Sequence, residues 1–275
     1  MINDIRIEII EQLNGLIWNQ KMDVAVGRNR CSCLYRGLPD KKFHLVTSLK
    51  RNCKQKKENL ELSILRNFAK YAETEDSTLK TSIWRQMIVG QHHGLPTRLL
   101  DWSYSPLVAL HFATSGMVLS DMEKSDCLIW QIDIDEMNSL LPVNYREKLI
   151  KENAHLMTTT MLDEILPGED AILKYDSDMG DQALVLLEPP SIDQRIINQY
   201  SYFSVIPSKI ENGYDENGIE SFLEKYSTRT VKYTIKADIK WQIRDMLDNM
   251  NINERIAFPG LDGLSKWLTR HYYVK

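Results

Sequence analysis

The stretch QHHGLPTRLLDWSYSPLVALHFA, Gln91 to Ala113, decides the fold, because it sets turn-formers, charged groups and aromatics against the start of an apolar helix. Gly94 and Pro96 punctuate the backbone, Leu95, Leu99 and Leu100 are apolar, and Arg98 and Asp101 stand among them before Trp102 and Ser103. Ser105-Pro106 then starts a helix: a serine hydroxyl caps free N–H groups, and a proline in the first turn loses no hydrogen bond. Such a helix start favours anions, so one expectation is a phosphate-bearing ligand near Asp101 to Pro106. The competing expectation is structural, with Arg98 and Asp101 forming a buried ion pair and the helix start capping itself.

Outward from this stretch, Ile5, Ile9, Leu13 and Leu16 repeat at helical spacing and predict an N-terminal helix over 2–18 that carries Trp18 to the core. CSCLYRGL, Cys31 to Leu38, reads as a strand that places Arg36 at its end, where the backbone turns at Gly37. Leu65, Phe68 and Ala72, then Leu79, Ile83, Trp84, Met87 and Ile88, predict two helices leading into the central stretch. The second half changes period. CLIWQIDI, ALVLL, YFSVI and RTVKYTIKA, beginning at Cys127, Ala183, Tyr202 and Arg229, are β-type runs, and the last alternates as a strand near a sheet edge would. The fold class is therefore α+β, a mixed, mostly antiparallel sheet with flanking helices. Residues 136–180 fit helices or a mobile lid.

Hydrophobic residues at 43% and charged residues at 26% are ordinary globular values over 275 residues, and one domain spanning 1–275 is expected. The N-terminus carries acidic residues among its isoleucines and no basic start, so it reads as a helix rather than a signal peptide, and a cytoplasmic protein without membrane contact is expected. Cys31, Cys33, Cys53 and Cys127 lack paired metal-ligand spacing and read as structural thiols; no metal is expected. The net charge of −4 argues against broad electrostatic binding to nucleic acid. The basic run from Lys50 to Lys57 reads as a solvated face, with a nucleic-acid contact as the sharper alternative.

Three segments together resemble the FRG-domain family. They are Tyr35-Arg36-Gly37, the central stretch, and AFPGLDGLSKWL from Ala257 to Leu268, so the resemblance spans most of the chain, with a core about 31–268. The last segment also reads as a turn seating a final helix. A more distant resemblance is to the ADP-ribosyltransferase core. It implies an ADP-ribosyltransferase-like fold that binds NAD, holding the dinucleotide with Tyr35, Arg36 and Gly37 and supporting the nicotinamide ribose from the strand of Trp102 and Ser103. The glutamate that such enzymes take from a late strand is replaced by Gln199, which leaves Asp101 and Glu188 as further catalytic candidates.

The chemistry behind these assignments is general. Cleaving the nicotinamide–ribose bond builds positive charge on the sugar, which a carboxylate stabilises and a glutamine does not. Arg36 is suited to phosphate because a guanidinium forks onto it. His92 is an acid or base near neutral pH or a turn scaffold, Arg98 a phosphate contact or an ion pair, and Trp102 a stacking platform or core. Two functions stay open: an ADP-ribosyltransferase or NAD glycohydrolase acting on a protein or nucleic-acid acceptor, and a non-catalytic nucleotide-sensing or protein-interaction module. The company such domains keep implies a bacterial toxin or anti-phage effector.

Overall fold

The computed structural model describes residues 2–18, 21–24, 26–212 and 218–275. Its strands are β1 (Asn3–Ile7), β2 (Lys21–Asp23), β3 (Arg28–Arg30), β4 (Cys33–Leu38), β5 (Leu99–Ser103), β6 (Cys127–Asp133), β7 (Val185–Leu187), β8 (Ser201–Val205) and β9 (Val231–Ile235). Seven of them form one sheet in the order β1-β9-β6-β4-β5-β8-β7, while β2 and β3 pair as a separate ribbon. Within the large sheet only β1 and β9 run parallel. The α+β class and the mostly antiparallel sheet expected from the sequence are what the chain forms.

β6 is buried along its whole length, with Cys127 to Trp130 a continuous apolar run and Gln131 and Asp133 buried in hydrogen bonds. The expected N-terminal helix is corrected. Asn3–Ile7 is a strand whose register sets Asn3 against Val231 and Ile7 against Ile235, and only short helical turns follow, at Ile10–Leu13 and Asn14–Ile17. Ile5 fits the helical set with Ile9 and equally a period-two set with Ile7, and pairing with the open edge of β9 decides between them. Ile9 and Trp18 are left exposed, so Trp18 is not core, while Leu13 and Leu16 are buried. With β1 outside it, β9 is second from the edge.

The two faces of the sheet carry different cores. Leu34, Leu38, Leu100, Trp102 and Trp130 pack with Phe222 and Leu223 of the Gly218–Tyr226 helix. On the opposite face Tyr35, Ile129 and Tyr233 meet Ala109 and Ala113 of the Pro106–Ala113 helix and Ile243 of the Lys240–Asn249 helix. A third core lies beneath β7 and β8, where Trp84 meets Tyr175 edge-on with centroids 5.5 Å apart. Four helices, Ile134–Ser139, Val143–Lys151, Thr159–Ile165 and Ala171–Met179, fill most of the 136–180 segment and supply Tyr145, Leu162 and Tyr175 to the cores. That segment is therefore packed structure and not a lid.

One irregularity positions the site. β4 pairs with β6 from Cys33 to Leu38, yet with β5 only at Tyr35 and Ser103. Beyond that single pair the two strands part, and Arg36 lies where they diverge.

Candidate functional site

Arg36 reaches across the divergence. Its Nη1 donates to the Asp101 backbone carbonyl at 2.6 Å and lies 3.6 Å from the Asp101 carboxylate. The Arg36 side chain is 20% exposed and that of Asp101 52%, so the pair faces solvent at one end. At the other end Arg36 Nε is buried without a partner among the described residues. Burial lowers the guanidinium from its usual range, Asp101 opposes this, and the nearby positive charge of Arg51 adds to it. Arg36 thus shares a half-exposed carboxylate while a second arginine stands near it, an arrangement of positive charge suited to an anion.

The central stretch holds Asp101 in place through Gln91. Gln91 Nε2 donates to Asp101 Oδ2 at 3.0 Å, while its Oε1 accepts from Thr97 Oγ1 at 2.7 Å and Ser48 Oγ at 3.3 Å. The Leu49 N–H donates to the Thr97 carbonyl at 3.1 Å, which ties the Ser48–Cys53 helix, and with it Arg51, to the same turn. The turn exists because Gly94, at φ +85°, takes a left-handed conformation that ends the Ile83–His92 helix. The Leu95 N–H then closes back on Gly90 at 2.8 Å.

The remaining residues singled out in the sequence divide by location. Tyr35 is buried with its hydroxyl 3.3 Å from Cys31 Sγ, and Gly37 lies against the Pro106–Ala113 helix. Trp102 is core, its indole N–H donating to Ser204 Oγ at 2.9 Å. Ser103 Oγ donates to the Gln199 carbonyl at 2.8 Å and accepts from the Ser105 N–H at 3.1 Å. Gln199 ends the Gln194–Gln199 helix rather than riding a strand, and its side-chain amide donates to the Ala257 carbonyl at 2.8 Å. Glu188 is exposed just past β7, and His92 pairs through Nε2 with Asp193. Around Arg36, then, the structure gathers Asp101, Gln91 and Arg51.

Arg98 pairs with neither Asp101 nor solvent. Its Nε donates to Glu61 at 2.7 Å and its Nη1 to Asp176 at 2.6 Å, with the guanidinium 3% exposed. The expected Arg98–Asp101 ion pair is therefore replaced by a buried Glu61–Arg98–Asp176 cluster, whose carboxylates come from helices that sequence spacing cannot bring together. Ser105 does cap the Pro106–Ala113 helix, accepting from the Val108 N–H at 3.4 Å. In the basic run Lys57 is buried against Glu211 at 2.6 Å and Lys50 donates to the Glu211 carbonyl at 2.6 Å, so the run is not a uniformly solvated face.

The thiols are less inert than their spacing suggested. Cys31 Sγ accepts from the Cys33 N–H at 3.4 Å, and hydrogen bonding to Cys33 and then to the Tyr35 hydroxyl outweighs burial and brings the Cys31 thiol down to about 6. Iodoacetamide should therefore alkylate Cys31 with a half-maximal rate near pH 6, as read by peptide mass spectrometry, while buried Cys33 and Cys127 stay unlabelled. A rate still climbing toward pH 9, where an ordinary thiol titrates, would contradict the thiolate assignment. Among the described residues no three His, Cys, Asp or Glu side chains gather as a metal site, and no helix is long and apolar enough to cross a membrane.

Residues 31–121 match the family model of the FRG domain, a span that includes Arg36, the central stretch and the whole Arg36–Asp101–Gln91 cluster. No curated protein and no solved structure matches the chain.

Proposed function

We propose that this chain, which carries an FRG domain over residues 31–121, binds a phosphate-bearing dinucleotide, with NAD as the candidate, where β4 and β5 part. The observation that carries this reading is the unspent capacity of Arg36. Among the described residues its guanidinium makes one hydrogen bond, to the Asp101 carbonyl, its side chain is 20% exposed with the Asp101 carboxylate 3.6 Å from Nη1, and Arg51 adds positive charge nearby. A phosphate offers several acceptor oxygens and fits that deficit. The Asp101 carboxylate, held by Gln91, is then available to a ribose hydroxyl.

The non-catalytic form of this reading is favoured by Gln199, whose amide is engaged by the Ala257 backbone, and by Glu188, which stands exposed away from the contacts of Arg36. One observation supports a catalytic form as well: Asp101 is a carboxylate beside Arg36. In that form water attacks the anomeric carbon, its proton passes to solvent, and the carbon–nitrogen bond breaks. Nicotinamide leaves with the electron pair, and Asp101 stabilises the cationic sugar.

Titration of NAD into the purified protein tests both forms. NAD should raise the melting temperature, and Arg36→Ala should weaken binding by about tenfold to a hundredfold, the loss of one or two charge-assisted hydrogen bonds. Chromatography of the same samples for nicotinamide separates the forms: release abolished by Asp101→Asn with binding retained supports catalysis, and binding without release supports a sensor. NAD affinity unchanged in a folded Arg36→Ala protein would overturn the site assignment.

A further inference from the structure

A cavity of about 610 Å³ opens between the start of the Gln194–Gln199 helix and the start of the Leu261–His271 helix, a size that suits a small organic molecule. Arg195, Phe258, Asp262 and Lys266 line it, and none of Arg36, Asp101 and Gln91 does. The AFPGLDGLSKWL segment therefore does more than seat the final helix: it supplies wall to this cavity.

The two cations converge on one ring. The Arg195 guanidinium lies 5.0 Å from the centroid of Phe258 and the Lys266 ammonium 5.6 Å from the same centroid. Arg195 is half-buried and gives one N–H to the His92 carbonyl at 3.3 Å, while Lys266 is exposed. Neither forms an ion pair among the described residues. Lys266 lies over the ring although Asp262 stands four residues earlier in the same helix, the spacing at which opposite charges pair. Two like charges gathered over one ring repel each other, and an anion set between them turns the repulsion into attraction.

The acceptors of the wall are placed differently. Asp193 is occupied, its Oδ1 accepting from the Ile196 N–H at 3.0 Å and its Oδ2 pairing with His92. Asp262 has no side-chain partner among the described residues, so its carboxylate is open to a hydroxyl group. Gln194 gives its amide N–H to Asn198 at 2.8 Å, which leaves its carbonyl oxygen to accept as well. One guanidinium already satisfies a carboxylate, whereas two cations from different helices suit a dianion with three terminal oxygens. We infer that this cavity binds a phosphate monoester of a polyhydroxylated compound, a sugar phosphate, with the phosphate between Arg195 and Lys266 and the hydroxyls on Asp262 and Gln194. This inference is independent of dinucleotide binding at Arg36.

The test is isothermal titration calorimetry of the full chain with glucose 6-phosphate as probe and glucose and inorganic phosphate as controls. Glucose 6-phosphate should bind saturably at one site, inorganic phosphate about tenfold more weakly for want of the hydroxyl contacts, and glucose, without the anion, not measurably. Lys266→Gln, a change at an exposed position, should weaken glucose 6-phosphate by about tenfold, and adding Arg195→Gln should abolish its binding. Asp262→Ala should erase the preference for the sugar phosphate over inorganic phosphate. A folded Arg36→Ala protein should bind the probe as the parent does, which separates this cavity from the dinucleotide site. No saturable binding to the parent, equal affinity of the parent for glucose 6-phosphate and inorganic phosphate, an affinity unchanged by Lys266→Gln, or a loss caused by Arg36→Ala would each overturn the inference.

Discussion

Replacing Glu254 by alanine should destabilise the fold by about 3–5 kcal/mol, because it strands a buried charge. Arg244, with no exposed surface, donates to Glu254 Oε1 at 2.5 Å, and Arg270 donates to the same carboxylate through Nε at 2.8 Å and Nη2 at 2.9 Å. Arg270 keeps Asp248 when Glu254 is removed; Arg244 keeps only His111. For a chain of this size the loss corresponds to a melting temperature lower by roughly 10 °C, measurable by calorimetry. Arg244→Met combined with Glu254→Gln should cost less than Glu254→Ala alone, since the charge leaves with its partner. The pH dependence has a definite sign. Burial works against the Glu254 charge, yet hydrogen bonding to Arg270 and the charge of Arg244 hold its carboxyl below the usual 4.5. Its contribution is therefore present above pH 4.5 and lost as pH falls through the folded value, so the deficit of the variant should shrink in acid. A Glu254→Ala protein melting within 2 °C of the parent at neutral pH would remove the cluster from any account of stability.

Gly37→Ala is expected to be the most damaging single-methyl change near the site. A Cβ at position 37 would sit 2.0 Å from the Ala109 carbonyl oxygen and 2.5 Å from the Ala113 nitrogen. Both are backbone atoms of the Pro106–Ala113 helix, so no side chain can yield. Either the helix lifts from the sheet or β4 shifts against β6, at about 1–3 kcal/mol or somewhat more. Arg36 is the next residue, so a shift in β4 also moves the guanidinium away from Asp101. Chemical denaturation should give a lower midpoint, and NAD affinity should fall although every proposed contact residue is present. Full stability and full affinity in Gly37→Ala would mean that the close approach of helix to strand is not needed.

These two sites show what the sequence makes legible and what it does not. Gly37 was read as the turn that ends the strand; it stays inside β4, paired with Ile129, and what requires glycine there is the close approach of the Pro106–Ala113 helix, which the sequence did not announce. The Ser105 cap and the strand periods of the second half were readable because they are local. Glu254, Arg244, Arg270 and His111 gave no signal, because they come from helices whose facing sides are decided by packing. Arg98 illustrates the same limit. Its neighbour in sequence, Asp101, was the natural partner to name, yet Glu61 and Asp176 reach it from 37 and 78 residues away. The N-terminal segment failed differently, since Ile5 fits a helical set with Ile9 and a period-two set with Ile7 and only the edge of β9 makes the choice.

That edge also sets an order of events during synthesis. β9 is among the last strands to leave the ribosome, and β1, which pairs with it from Asn3 to Ile7, is the first. More than two hundred residues emerge between them, so β1 waits without its permanent partner until they have been made. Its capture is the most non-local step in the sheet and belongs among the slow ones. Until it occurs, β9 presents an open row of hydrogen-bonding groups to any other nascent chain, and the time to capture β1 sets how long that hazard lasts.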